Sequence, residues 1–204
     1  MTAHKKLPLD PFLRAAKEPE LVVLPPAKFI CVEGAGAPEE SDFQAAVGAL
    51  YSVAYTMKFA AKKAGGPDLK VAPLEALWWA NVPRHEFDLG RTPRTAWRWK
   101  AMIRVPASVT KAQVEAAKKA VIAKRGDHEV SKVVLEKFAE GRAIQLLHIG
   151  PYATEPVSVA RMRAMMDASK LVPRGYHHEI YLGDPRRTKP EKLKTILRQP
   201  VAAA

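Results

Sequence analysis

The sequence holds a single cysteine, Cys31, in 204 residues, so it cannot build a disulfide framework or a cysteine-rich metal centre. One thiol suits a reducing compartment, and a cytoplasmic location is expected. Long apolar runs are also missing. The longest stretch without a charged residue, Phe43 to Met57, is shorter than a membrane span and carries a helical period. Met1 to Pro8 has charges but no apolar run behind them, which argues against a signal peptide. There is no His/Cys spacing of a zinc site, no Ser-His-Asp pattern, no phosphate loop and no dinucleotide fingerprint. No metal and no cofactor is expected. Acidic residues are in the minority, 21 against 33 Lys and Arg, and the net charge of +12 raises nucleic acid as a partner. The basic residues are nevertheless spread along the chain, with one denser stretch from Arg186 to Arg198. No helix-turn-helix, zinc finger or aromatic RNA-binding signature accompanies them, so only sequence-blind attraction to nucleic acid is expected.

What is present is an ordered alternation of strand and helix signals. Lys28 to Glu33 reads as a strand, broken by Gly34-Ala35-Gly36-Ala37-Pro38. Ser41 or Asp42 can cap the next helix, whose stripe is Phe43, Val47, Leu50, Ala54, Met57 and Ala61. Tyr51, Tyr55 and Phe59 form a second, aromatic stripe on it, and Gly65-Gly66-Pro67 stops it. Strands are expected over Lys70 to Asn81 and Thr95 to Val105. Thr110 and Gln113 make a capping box for a basic helix from Lys111 to about Lys124, and a second helical piece is expected from about Val130 to Ala139. A strand then runs from Arg142 to His148 and Ile149, followed by a helix with Pro156 in its first turn. Two strands, Tyr176 to Leu182 and Lys194 to Val201, close the chain.

This order reads as strand-helix-strand-strand, connecting helices, then the same unit again. We therefore expect one α+β domain over residues 1–204, with a first repeat at 28–105, connecting helices at 106–141 and a second repeat at 142–201. Leu74-Glu75-Ala76-Leu77-Trp78 parallels His178-Glu179-Ile180-Tyr181-Leu182, which sets Glu75 over Glu179. Two such units pair into an antiparallel sheet with helices on one face and a groove along the pseudo-twofold axis.

Four blocks in order carry a resemblance over about Pro19 to Val201. They are Phe43-Gln44-Ala45-Ala46-Val47-Gly48-Ala49-Leu50-Tyr51-Ser52-Val53-Ala54-Tyr55, Pro73-Leu74-Glu75-Ala76-Leu77-Trp78-Trp79, Gln145-Leu146-Leu147-His148-Ile149-Gly150-Pro151-Tyr152 and His177-His178-Glu179-Ile180-Tyr181-Leu182-Gly183-Asp184-Pro185-Arg186-Arg187. The chain resembles the stand-alone GyrI-like family. The resemblance implies two strand-helix-strand-strand repeats and a central groove for small aromatic or cationic compounds. In similar drug-sensing domains of transcription activators a pocket glutamate meets the cation, and that residue matches Glu179. One stand-alone subfamily, which the chain looks most like, hydrolyses the cyclopropyl ring of DNA-alkylating antibiotics in an aromatic cage. Ala76 stands where its Leu-Glu-Gly-Leu-Trp-Trp block has glycine, adding a methyl to the pocket.

Each half embeds a glutamate in an apolar strand, where a carboxylate is costly unless it is paired or faces a wet cavity. Glu179 is accordingly the candidate base and Tyr152, following Gly150-Pro151, the candidate hydroxyl donor, with Tyr181 as its rival. Glu75, Trp79, Trp97, Trp99, Tyr181, Tyr55 and His148 are the ligand-binding candidates; Trp78 reads as core. The expected ligand is a small aromatic or cationic xenobiotic, hydrolysed or only held. A sequestering or sensing protein is the competing reading.

Overall fold

The computed structural model describes residues 10–66, 70–83, 87 and 90–204. The expectations placed on Met1 to Pro8 and on Pro67 lie outside the described residues. Strands β1 (Glu20–Leu24) and β2 (Ala27–Ala35) precede helix α1 (Ser41–Lys63), which is followed by β3 (Leu74–Ala80) and β4 (Trp97–Val105). Helix α2 (Lys111–Arg125) and strand β5 (Val134–Phe138) lead to β6 (Gly141–Ile149), α3 (Glu155–Ala168), β7 (Leu171–Pro173), β8 (His177–Tyr181) and β9 (Lys194–Ala203).

The strands lie in the order β1-β6-β9-β8-β3-β4-β2-β5, every neighbouring pair antiparallel, with β7 added beside β9. Around the β8–β3 junction the order is mirrored: β6-β9-β8 on one side and β2-β4-β3 on the other. The fold is α+β, and each half supplies strand, helix, strand, strand. Pro25 and Pro26 alone separate β1 from β2, although these strands belong to opposite ends of the sheet. A two-residue link spans only about 10 Å, so the sheet must curl until its ends approach.

Residues opposite each other in antiparallel strands share a face. The pairs Ile30–Ile103, Ala76–Ala101, Trp78–Trp99 and Leu146–Leu197 therefore mark one face, and α1 and α3 both pack on it. Helix α1 buries Phe43, Ala46, Ala49, Leu50, Val53 and Ala54. The seam thus runs through Ala46 and Ala49, while Val47, Met57 and Ala61 stay partly exposed, because small residues let the helix settle on the indoles of Trp78 and Trp99. Neither Ser41 nor Asp42 caps α1. Glu40 occupies the N-cap position, and its carboxylate accepts instead from the Ala37 N–H at 3.1 Å. Gly34 is required by this packing, since a Cβ there would collide with the Trp99 indole.

Helix α2 starts on the expected Thr110–Gln113 capping box and ends at Gly126, whose φ of 64° is left-handed. The second connecting helix is corrected. Only Glu129–Lys132 forms a 3-10 turn, and Val134–Phe138 is a strand on the free edge of β2, with Leu135 opposite Ile30. Val133, Val134 and Leu135 are large or β-branched, and a run this short fits helix and strand periods alike. Strand β1 precedes Lys28 to Glu33, the first strand expected from the sequence. No helix among the described residues is long and apolar enough to cross a membrane.

Candidate functional site

The mirrored order places β8 and β3 side by side at the middle of the sheet, where the two halves meet. On the helix-bearing face Glu179 sits opposite Ala76, and His177 sits opposite Trp78; across the other edge of β8, Tyr181 sits opposite Thr195. Ala76 is therefore the cross-strand neighbour of Glu179, and it is itself fully buried in the core. Glu179 is buried, 6% exposed. Tyr181 hydrogen-bonds to it, and the Tyr181 hydroxyl in turn accepts from the Trp78 indole N–H at 3.0 Å. Trp78 is core, as expected, yet its one polar atom fixes the tyrosine that holds the glutamate. His177 Nε2 lies 3.5 Å from Glu179 Oε1.

A second carboxylate joins this group. Glu155 opens α3 ahead of Pro156, carried in by the 3-10 turn Tyr152–Thr154. It is 4% exposed, and its Oε1 finds no hydrogen-bond partner among the described residues. A helix N-terminus favours a charged carboxylate. Here burial wins: it pushes the Glu155 carboxyl well above the usual carboxylate range, the Glu179 charge pushes the same way, and the Thr195 hydroxyl offsets only part. Burial, followed by Glu155, Glu179 and Asp184, also raises the Tyr152 phenol to about 12. Burial and then the same two glutamates raise Tyr181 further. Tyr152 stays 40% exposed at the rim, its ring edge-on to Tyr181 with centroids 6.0 Å apart. Burial and the neighbouring charge thus favour the protonated form of Glu155 beside Glu179, and a group held protonated next to a second carboxyl is the raw material for acid–base work. Glu155 escaped the sequence reading because it resembles an ordinary first-turn acidic residue.

Glu75 does not join them. It faces Ile180, so it projects from the opposite face of the sheet from Glu179, and the superposition of the two glutamates is corrected. It is fully buried, with Oε2 3.0 Å from His178 Nε2 in an ion-pair contact that is poorly aligned for a hydrogen bond. His178 Nδ1 meets Glu140 Oε1 at 2.9 Å, and Arg198 Nη1 donates to Glu140 Oε2 at 2.9 Å and Arg198 Nε to Gln145 Oε1 at 2.9 Å. Two acids and two bases balance one another there. Burial alone would lower His178, but Glu140 and Glu75 overcome it and raise the imidazole to about 9. Burial would raise Glu140, yet His178 and Arg198 hold it below its ordinary value.

The remaining candidates divide. His148 is buried on the groove face, but Nδ1 meets Ser158 Oγ at 2.9 Å and Nε2 meets Thr154 Oγ1 at 3.2 Å, so it ties β6 to the start of α3 rather than offering a free nitrogen. Trp99 is 1% exposed under Phe43 and is core. Trp97 is buried edge-on between Trp78 and Phe87, and its indole N–H donates to the Thr92 carbonyl at 3.0 Å. Tyr55 is 46% exposed in a stack between Tyr51 and Phe59, each step 6.2 Å. Trp79 stacks on Tyr176 with centroids 4.4 Å apart. Trp79, Trp78, Phe87, Met162, Met166 and Tyr176 wall a cavity of about 470 Å³, which continues from His177 away from the carboxylates. Among the described residues no three His, Cys, Asp or Glu side chains converge as a metal site.

This fold recurs in solved structures. A hydrolase from Listeria innocua is 37% identical, with a TM-score of 0.81, and the match covers 94% of this chain and 95% of that one. An uncharacterized conserved protein from the same organism is 39% identical with a TM-score of 0.86 over the same shares. The EcmrR C-terminal domain, 9% identical over 92% of this chain and 98% of its own, shares the fold with a TM-score of 0.61. No curated protein matches the chain. The model of the GyrI-like small molecule binding domain matches residues 17–202, which spans both halves of the sheet, and the chain belongs to the GyrI-like family.

Proposed function

We propose that the protein binds a small aromatic xenobiotic in the groove between α1 and α3 and hydrolyses an electrophilic, cyclopropyl-type ring in it. The observation that carries this reading is the pair of buried carboxylates, Glu155 and Glu179, beside two tyrosines on one face of the sheet. Glu179, oriented by Tyr181, is the base for water. Glu155, which burial and the neighbouring charge keep protonated, is the acid, with the Tyr152 hydroxyl at the rim as a second donor. Water attacks a ring carbon while the strained C–C bond breaks. The released electron pair moves to the conjugated carbonyl oxygen, which takes the acid's proton, and Glu179 takes the proton of water. The aromatic residues around the groove hold a flat ligand in a reactive pose. The hydrolase from Listeria innocua supports the enzyme reading.

A carboxylate between Tyr152 and Tyr181 also suits a cationic aromatic ligand, which favours a second reading: a protein that sequesters or senses drugs without chemistry. We place the protein in the cytoplasm, where the lone buried Cys31 thiol stays reduced, and assign it no sequence-specific nucleic acid and no membrane. Mass spectrometry of a spirocyclopropyl dienone incubated with the pure protein tests the main reading. A product heavier by one water, formed in proportion to enzyme, is expected; unchanged dienone with measurable binding selects the second reading.

A further inference from the structure

On β8, Glu179 is flanked by His177 and Tyr181, each two residues away and on its own face of the sheet. The Tyr181 hydroxyl oxygen accepts from the Trp78 indole at 3.0 Å, so its own proton is left for Glu179. His177 sits opposite Trp78, and its Nε2 lies 3.5 Å from Glu179 Oε1. Both side chains are buried, and among the described residues Nε2 has no hydrogen-bond partner. The contact is an ion pair longer than a well-formed hydrogen bond, and contacts at such sites often tighten only when a ligand is bound. Glu155 is less well supplied: its Oε1 is unmatched, and the Thr195 hydroxyl is what favours its charge. The other ionisable groups nearby are Tyr152, with Asp184 beyond it, and Tyr51 of α1, which packs on the same core as Tyr181. His148 is tied to Ser158 and Thr154. Arg163 and Asp167 of α3 line the cavity that His177 also walls, and Arg163 donates to the Phe87 carbonyl at 3.0 Å. Among the described residues His177 is thus the basic side chain in ion-pair contact with the acid pair.

We propose that His177 is a positioning residue for the base: a proton on its Nε2 holds the negative charge of the acid pair on Glu179 and leaves the proton of the pair on Glu155. The proposal rests on the two-carboxylate reading above and adds to it what decides which acid takes which part. Two carboxyls buried side by side do not both ionise readily, and the charge settles where more donors face it. Protonated, the imidazole offsets the Glu179 charge. Neutral, it must carry its proton on Nε2, because a bare nitrogen lone pair facing a carboxylate is repelled. Both states place a hydrogen on the Glu179 side, whereas Glu155 meets a single hydroxyl. One buried contact to a charged group is worth a bias of about tenfold, or about one pH unit.

Glutamate carboxyls labelled with carbon-13 are titrated by NMR in the full chain without ligand, and Glu155→Gln and Glu179→Gln assign the two resonances. In His177→Phe the Glu179 carboxyl should ionise about one pH unit higher than in the wild type, and in His177→Gln, which keeps an N–H donor, the shift should be smaller. With a spirocyclopropyl dienone, the acid limb of the turnover–pH profile should move with it, while the alkaline limb, set by Glu155, stays. Turnover on the acid limb should fall about tenfold, with dienone affinity changed by less than about threefold. If His177→Phe does not fold, His177→Leu gives the same readout. A Glu179 ionisation that His177→Phe leaves in place overturns the proposal, as does a turnover loss equal at every pH. The NMR titration needs no substrate. A wild type that leaves the dienone intact therefore fails the hydrolytic reading, while the Glu179 titration still decides the part played by His177.

Discussion

Glu75 and Glu179 are one residue out of step on neighbouring strands: Glu75 pairs with Ile180 and Glu179 with Ala76, so the two carboxylates leave opposite faces of one sheet. The single step separates an acid of the cluster under the sheet from the acid proposed as the base. Glu75 belongs to the buried cluster with His178, Glu140 and Arg198, whereas Glu179 belongs to the groove.

The first prediction concerns the cluster under the sheet. His178 is raised from 6.5 to about 9 in the folded chain, so its contribution is complete below its unfolded value and is lost as pH rises through about 9. The size is roughly 3 kcal/mol at the usual conversion per pKa unit. Denaturant titrations from pH 6 to 10 should show that fall, and Glu140→Gln, which removes the main partner of His178, should flatten it while lowering stability near neutrality by about 3–5 kcal/mol. An unchanged pH slope in Glu140→Gln would contradict the assigned pairing.

Glu155 gives the second prediction. Its folded value is raised, so it too stabilises below the ordinary carboxylate range and increasingly burdens the fold as pH rises towards its shifted value. Glu155→Gln cannot ionise and should therefore be at least as stable as the wild type on the alkaline side. It has no proton to give, so turnover should fall by about a hundredfold with ligand affinity kept. In the wild type, turnover should decline as pH rises and Glu155 loses its proton. A variant that turns over normally would remove Glu155 from the mechanism.

The third prediction tests the seating of α1. Gly34→Ala should cost about 1–3 kcal/mol, because the added methyl must displace the Trp99 indole from a close-packed core. Near-UV circular dichroism should change with it. A Gly34→Ala chain as stable as the wild type would mean the indole has room to move.

Much of this was legible in the sequence, and what was not has identifiable causes. The helix stripes, the capping box and the Gly-containing breaks fixed the order of elements because each is a local signal. Strand register is not local. A shift of one residue exchanges the faces of a strand, and the likeness of the Glu75 and Glu179 blocks gave the wrong parity. The same limit hid the conversion of Val134–Phe138 to a strand, since only the open edge of β2 decides it. Glu179 stood out in the sequence as a candidate because a carboxylate in an apolar strand is conspicuous. Glu155 was missed because its burial comes from the docking of α3, which no spacing within the helix reveals.

Charge supplies the fourth prediction. With a net charge of +12, duplex DNA should bind weakly, without sequence preference, and should be released by moderate salt. Gel-shift titrations at low and physiological ionic strength check this, and nanomolar, sequence-selective binding at physiological salt would contradict it.

The central claim is that Glu179 activates water. Glu179→Gln keeps the shape and the contact with Tyr181 but removes the base. Affinity and product formation should be measured together on this variant, with one neutral and one cationic aromatic ligand. The account predicts turnover reduced by about a hundredfold or more with neutral ligand still bound. Undiminished turnover in Glu179→Gln, with only the cationic ligand weakened, would contradict it and leave Glu179 as a counter-charge.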